Sequence, residues 1–218
     1  MDGAKRVAYR ACERSDARGI AEVLYRTGFL GEDLTGRGLF GDKRLFAIAN
    51  TDCYVRRETR NAFVAVEEST RKILGYIIGA ADTRAYEGLF KRRMYWRMAL
   101  RAIFVSSWKY PESFRQILAW AKNDPGDPGR FNKDYPAHLH INVLPECQRL
   151  GIGERLMELF VRNMASRGVK GIHLGTSNRN LKALPFYKKQ GFEILAEEPG
   201  TFWTGLEGHV SVIFGKRL

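Results

Sequence analysis

Apolar and polar residues alternate along His138-Leu-His-Ile-Asn-Val-Leu144, a period of two that predicts a strand over 137–143. Helical spacing resumes after Gly151 and predicts a helix over 151–167, followed by a strand over 171–175, a helix over 179–190 and strands over 192–196 and 209–214. Upstream, residues 5–12 read as a first strand. Ser15 or Asp16 is placed to cap a helix running to about Thr27, with Ile20, Val23 and Leu24 on one face. The stretch 28–41 carries five glycines and reads as a loop, with a short helix expected near 42–50. Segments 61–67 and 72–81 read as a hairpin joined by the polar turn 68–71. Residues 84–121 read as helical: Leu89, Arg93, Trp96, Leu100 and Ile103 keep helical spacing, and Pro111 opens a second helix ending near Trp120. Within this region Arg93, Arg97 and Arg101 recur every four residues, with Arg92 beside them, as a solvated basic face. Trp96, Trp108 and Trp120 are expected to pack the helical region. The cluster 123–130 is the clearest break in the chain.

Composition narrows the class. The 218 residues suffice for one domain carrying an insertion, and 44% hydrophobic content suits a packed core. No apolar run approaches the ~18 residues of a membrane span. Met1-Asp-Gly-Ala-Lys-Arg6 has no apolar signal core, so a cytoplasmic location is expected. Cys12, Cys53 and Cys147 form no CxxC pair, so neither metal binding nor a disulfide framework is expected. The net charge of +12 predicts attraction to anions. Nucleic acid is one such anion, but no zinc finger, RNA-binding aromatic motif or basic zipper region is present. An anionic cofactor or acidic substrate satisfies the charge as well.

Two motifs carry chemistry. In Gln148-Arg149-Leu150-Gly151-Ile152-Gly153, a strand gives way to a helix through a glycine loop. Such a junction aims unpaired N–H groups and a positive helix end at one point, a site for a pyrophosphate. Downstream lies Asn180-Leu-Lys-Ala183-Leu-Pro-Phe186-Tyr187-Lys-Lys-Gln-Gly191-Phe192. With both motifs in this order, the chain resembles the GCN5-related N-acetyltransferase (GNAT) superfamily, most closely over about 137–196. A narrower similarity, in 135–141 and 171–175, is to the acetyltransferase-like domains related to O-GlcNAc hydrolases.

The resemblance implies a mixed α/β fold in one domain, 1–218. Its central, mostly antiparallel sheet splays between the fourth and fifth strands, and a helical insertion at about 83–130 separates the third from the fourth. The implied reaction passes an acetyl group from acetyl-CoA to an amine by direct attack in a ternary complex, leaving CoA. The acceptor is a small-molecule amine or a protein lysine, and dimers are common in the family. Backbone N–H groups of Arg149, Leu150, Gly151, Ile152, Gly153 and Glu154, following Gln148, would hold the pyrophosphate. Asn142, Val143 and Leu144 would meet the pantetheine arm, with Asn180 and Phe186 beside it, and a backbone N–H near Val143 would receive developing negative charge. Tyr187 would protonate the departing sulfur, and His138 or His140 would take the amine's proton. Tyr76, Asp82, Tyr86, Glu87 and Trp203 are candidates to face the acceptor. Cys147 has no placed base and is not read as a nucleophile. Two other readings stay open: a catalytically silent acyl-CoA-binding or protein-interaction module, and a nucleic-acid-associated protein.

Overall fold

The computed structural model describes residues 6–122, 128–200, 202–203 and 206–218. The N-terminal stretch 1–5 and most of the break expected at 123–130 lie outside the described residues. Among the described residues seven strands form one sheet: β1 Val7–Ala11, β2 Ala62–Glu67, β3 Ile73–Ala80, β4 Ala137–Val143, β5 Gly171–Ser177, β6 Glu193–Pro199 and β7 Val210–Arg217. Their order is β1-β2-β3-β4-β5-β7-β6, and every described pairing is antiparallel except β4 with β5. The parallel pair touches only at Ala137↔Ile172 and His138↔His173, although β4 continues to Val143 and β5 to Ser177. Beyond His138 the two strands diverge, so the sheet opens there as the resemblance implies.

Helices cover both faces. Helix α7, Ile152–Ser166, buries Ile152, Leu156, Phe160 and Met164. Gly79 of β3 lets it approach: a Cβ there would come within 2.6 Å of the Phe160 ring. On the opposite face Tyr76 of β3 donates to Asn142 of β4, which in turn donates to Thr27 just after helix α1, Ala17–Tyr25. Two short helices follow, α2 Lys43–Asn50 and α3 Asp52–Arg57, of which only α2 is legible in the sequence pattern.

Between β3 and β4 the chain forms α4 Thr83–Arg101, a wide π turn at Ala102–Ser106, the single helical turn α5 Ser107–Lys109, and α6 Pro111–Lys122. This helical region is anchored on Asp42, which is 1% exposed. Its carboxylate caps α2 by accepting from the Leu45 N–H at 2.9 Å, and it also accepts from Arg101 at 2.9 Å and Ser106 at 2.7 Å. Asp52 similarly gathers Arg44 at 2.6 Å, Arg56 at 3.5 Å and Arg97 at 3.9 Å. Arg97 and Arg101 therefore turn inward to buried carboxylates and are not part of a solvated face. Asp42→Ala removes a helix cap and strands a partly buried arginine. It is expected to lower unfolding free energy by about 3 kcal/mol, read by denaturant titration. A loss below about 1 kcal/mol would show that Asp42 is not the anchor.

The tryptophans divide. Trp120 packs on Phe40 with centroids 5.6 Å apart, as expected. Trp96 and Trp108 do not pack the insertion: they are 58% and 77% exposed.

Candidate active site

A cleft of about 480 Å³ opens where β4 and β5 part. Its lining includes Asn142 and Val143 of β4, Gln148, Arg149, Gly151, Gly153 and Glu154 of the loop and α7, and Asn180, Phe186 and Tyr187 of the second motif. Both motifs thus converge on one space.

The loop has the backbone that its sequence demands. Gly151 sits at the N-cap of α7 with φ of 76°, a conformation that glycine adopts without strain. Arg149 adopts φ of 64° without that freedom, and Leu150 projects into solvent. Gly153 is already helical. A Cβ there would touch Phe186 at 3.4 Å, an ordinary contact, so nothing in the protein forbids one. Its bareness instead leaves room on the cleft side, where the first N–H groups of a fifteen-residue helix emerge unpaired. Glu154, in that first turn, is held by Lys189 at 2.6 Å. Ile152 turns its side chain into the core.

Strand register sorts the pantetheine candidates. The Leu144 N–H donates to Leu74 O at 2.9 Å, in line with the pairing of Tyr76 with Asn142. In an antiparallel pair, residues with the same parity share that orientation. Asn142 and Leu144 therefore spend their backbone groups on β3. Val143 turns its backbone toward the split, and so does Ile141, which sequence reading passed over although it lines the cleft. Asn142 contributes its side chain, fixed by Tyr76 Oη at 3.2 Å and Thr27 Oγ1 at 2.5 Å. Gln148 donates to Val143 O at 3.2 Å and accepts from Lys182 at 3.2 Å. Asn180 lines the cleft and also accepts from the Ala183 N–H at 3.3 Å, steadying the start of helix α8, Ala183–Lys189.

Tyr187 is 7% exposed among Phe186, Phe192 and Phe214. Its hydroxyl has no hydrogen bond to a described residue, and burial pushes its pKa upward, so it holds its proton.

His138 and His140 share a face of β4 with Asn142 but do not line the cleft themselves. Donor accounting fixes their tautomers. Thr83 Oγ1 gives its one proton to Pro136 O at 2.8 Å, so at 2.9 Å it must accept from His138 Nδ1–H. His138 Nε2 is then bare and accepts from Tyr54 Oη at 2.6 Å. Tyr54, its proton used, accepts from His140 Nε2–H at 3.2 Å. His140 Nδ1 is left as the unprotonated nitrogen. Burial, with His140 and His173 nearby, drives the His138 pKa well down. Desolvation and, after it, His173 push His140 down as well, to about 4. Both are neutral at pH 7.

Tyr54 and Thr83 were missed by sequence reading. Tyr54 is 3% exposed on α3 and stacks on Tyr86 with centroids 4.2 Å apart. Among the acceptor candidates, Tyr86 is buried in that stack, and Tyr76 is fully buried, reaching the cleft only through Asn142. Asp82 is exposed and caps α4 through the Ala85 N–H at 3.0 Å. Glu87 is half-buried and close enough to raise the His173 pKa electrostatically, against a larger burial effect. Trp203 packs between Phe29 and Phe46, 4% exposed. All three cysteines are buried. Among the described residues no helix is long and apolar enough to cross a membrane.

Residues 33–192 match the Acetyltransferase (GNAT) family, and this chain belongs to that acetyltransferase family. The crystal structure of SsHAT superposes with a TM-score of 0.72 at 26% identity, covering 97% of this chain and 98% of that one. The structure of yncA from Salmonella typhimurium with its cofactor acetyl-CoA shares the fold, with a TM-score of 0.58 at 13% identity over 97% of this chain and 94% of that one. A mycothiol acetyltransferase of Saccharomonospora viridis is 31% identical over 75 residues, 34% of this chain. The match spans only 24% of that relative's length.

Proposed function

We propose that this protein is an acetyl-CoA-dependent N-acetyltransferase that acetylates a primary amine by direct attack in a ternary complex. The observation carrying this reading is the convergence, on one cleft at the β4–β5 split, of the unpaired α7 N-terminus, the outward-turned backbone of Val143 and the uncommitted Tyr187 hydroxyl. These residues fit the cofactor: a pyrophosphate suits the helix end, and an amide-bearing arm suits the open edge of β4. Acetyl-CoA, when bound, supplies an acetyl group activated as a thioester.

The chain's own residues do the rest. Backbone N–H groups of Gly151 to Glu154 hold phosphate, and the Asn142 and Asn180 side chains border the arm. The Val143 N–H is available to developing negative charge. His140, neutral and with Nδ1 unprotonated, accepts the amine's proton directly or through water. Tyr54 and His138 hold its tautomer. Tyr187 donates a proton on the leaving side. The acceptor class is a small amine or a protein lysine, and the working unit is a single domain, active as a monomer or homodimer.

A depressed histidine pKa has a consequence for rate. A base that is neutral above its folded-state pKa loses activity only as pH falls through that value. The acid limb of kcat/KM is therefore expected below the ordinary histidine value of about 6.5. His140→Ala should lower kcat/KM at neutral pH by about 100-fold and abolish that limb. An identical pH–rate profile in the variant would remove His140 from the role of base.

A further inference from the structure

The first half of helix α4 docks conventionally through Tyr86, but from Met94 onward the helix and the turns after it are docked inside out. Their inner rows, Met94, Met98, Ala102 and Ser106, are small or flexible, and the anchors are ionic: Arg101 and Ser106 on Asp42, Arg97 on Asp52. The outer rows are the apolar ones. Tyr95, Trp96, Leu100, Ile103, Phe104 and Trp108 are between 46% and 77% exposed.

The π turn keeps this face together. Residues four apart drift by about 40° per step on a regular α-helix, so Trp96, Leu100, Phe104 and Trp108 would spiral away from one another. The wide turn, closed by Ser107 N–H donating to Ala102 O, underwinds the helix between Leu100 and Trp108 and brings the row back into line. The Trp108 indole donates to Phe104 O at 3.1 Å, which lays its ring along the same face.

Charge selects what covers it. Lys91, Arg92, Arg93 and Lys109 are exposed, and none has an ion pair with a described residue. No acidic residue occurs between Glu87 and Glu112. A second copy seated face to face would set these cations against their own kind with no carboxylate between them. A surface rich in phosphate suits them. Indole and phenol rings beside lysine and arginine also match the layered polarity of a lipid headgroup region, where rings settle at the acyl boundary and cations reach phosphate.

We propose that the outer face of α4–α5 is a landing surface for an anionic phospholipid bilayer, on which the protein lies without spanning it. The proposal stands apart from the catalytic reading, because none of these residues lines the cleft.

The test is co-sedimentation of the full chain with vesicles of phosphatidylcholine alone and of phosphatidylcholine mixed with phosphatidylserine. Binding is expected to the mixed vesicles and to fall as salt rises. Lys91→Glu/Arg92→Glu/Arg93→Glu should weaken it by at least about a hundredfold, at about fivefold per cation lost and more from the added carboxylates. Trp96→Ser/Phe104→Ser/Trp108→Ser should weaken it as well. Its side chains are already in solvent, so thermal unfolding should match wild type and show that the fold is intact. Failure of the wild type to sediment with mixed vesicles would overturn the proposal, as would binding unchanged in both variants. Sedimentation equilibrium showing a dimer that the serine variant dissociates, without vesicle binding, would assign the face to a second copy instead.

Discussion

Gly153→Glu is expected to abolish measurable acetyl-CoA binding by calorimetry, raising Kd by at least about 100-fold, or about 3 kcal/mol. The side chain would enter the cleft beside Phe186, in the first turn of α7, where the leading N–H groups have no helical partner. A carboxylate there competes for those donors and repels a pyrophosphate. The smaller change separates binding from folding. Gly153→Ala places a Cβ at ordinary contact distance from Phe186 and Val143, so the protein tolerates it. Alanine is also the better helix former by up to about 1 kcal/mol. Gly153→Ala should therefore unfold no earlier than wild type while binding acetyl-CoA more weakly. Wild-type affinity in the glutamate variant would put the cofactor elsewhere and dissolve the proposed site.

The glycine-loop side of this cleft was legible because its determinants are local. A strand, a glycine turn and a helix start lie within about twenty residues, and each obeys a pattern set by its own neighbours. The split between β4 and β5 followed from the family resemblance. No periodicity distinguishes a strand that pairs for two residues from one that pairs for seven.

The surroundings of His138 were less legible, for a different reason. His138 could be picked out on β4, but its partner Tyr54 lies 84 residues away. Tyr54 sits on the six-residue α3, whose apolar residues Cys53, Tyr54 and Val55 are consecutive and show no helical period. Thr83 resembles any first-turn threonine until Pro136 O and His138 Nδ1 are seen on either side of its hydroxyl. The outward tryptophans show a further limit. Period 3.6 reveals that a helix has an apolar stripe but not which way the stripe faces. Here buried Asp42 and Asp52 hold the opposite side inward.

Tyr187→Phe is expected to reduce kcat about 100-fold while leaving the KM for acetyl-CoA within about twofold. The hydroxyl makes no hydrogen bond to a described residue, so its loss strands no described partner. Stability should hold or rise slightly, and a fall in kcat cannot then be charged to misfolding. Burial affects the chemistry in two ways. It raises the phenol's pKa, which makes the group a poorer acid in isolation but keeps it protonated at every working pH. It also raises the pKa of a thiol formed beside it, since the same dry surroundings penalise either anion. The difference between donor and acceptor, which governs proton transfer, is therefore preserved better than either value alone. A Tyr187→Phe enzyme with unchanged kcat would leave the ring as packing among Phe186, Phe192 and Phe214. The leaving sulfur would then take its proton from water.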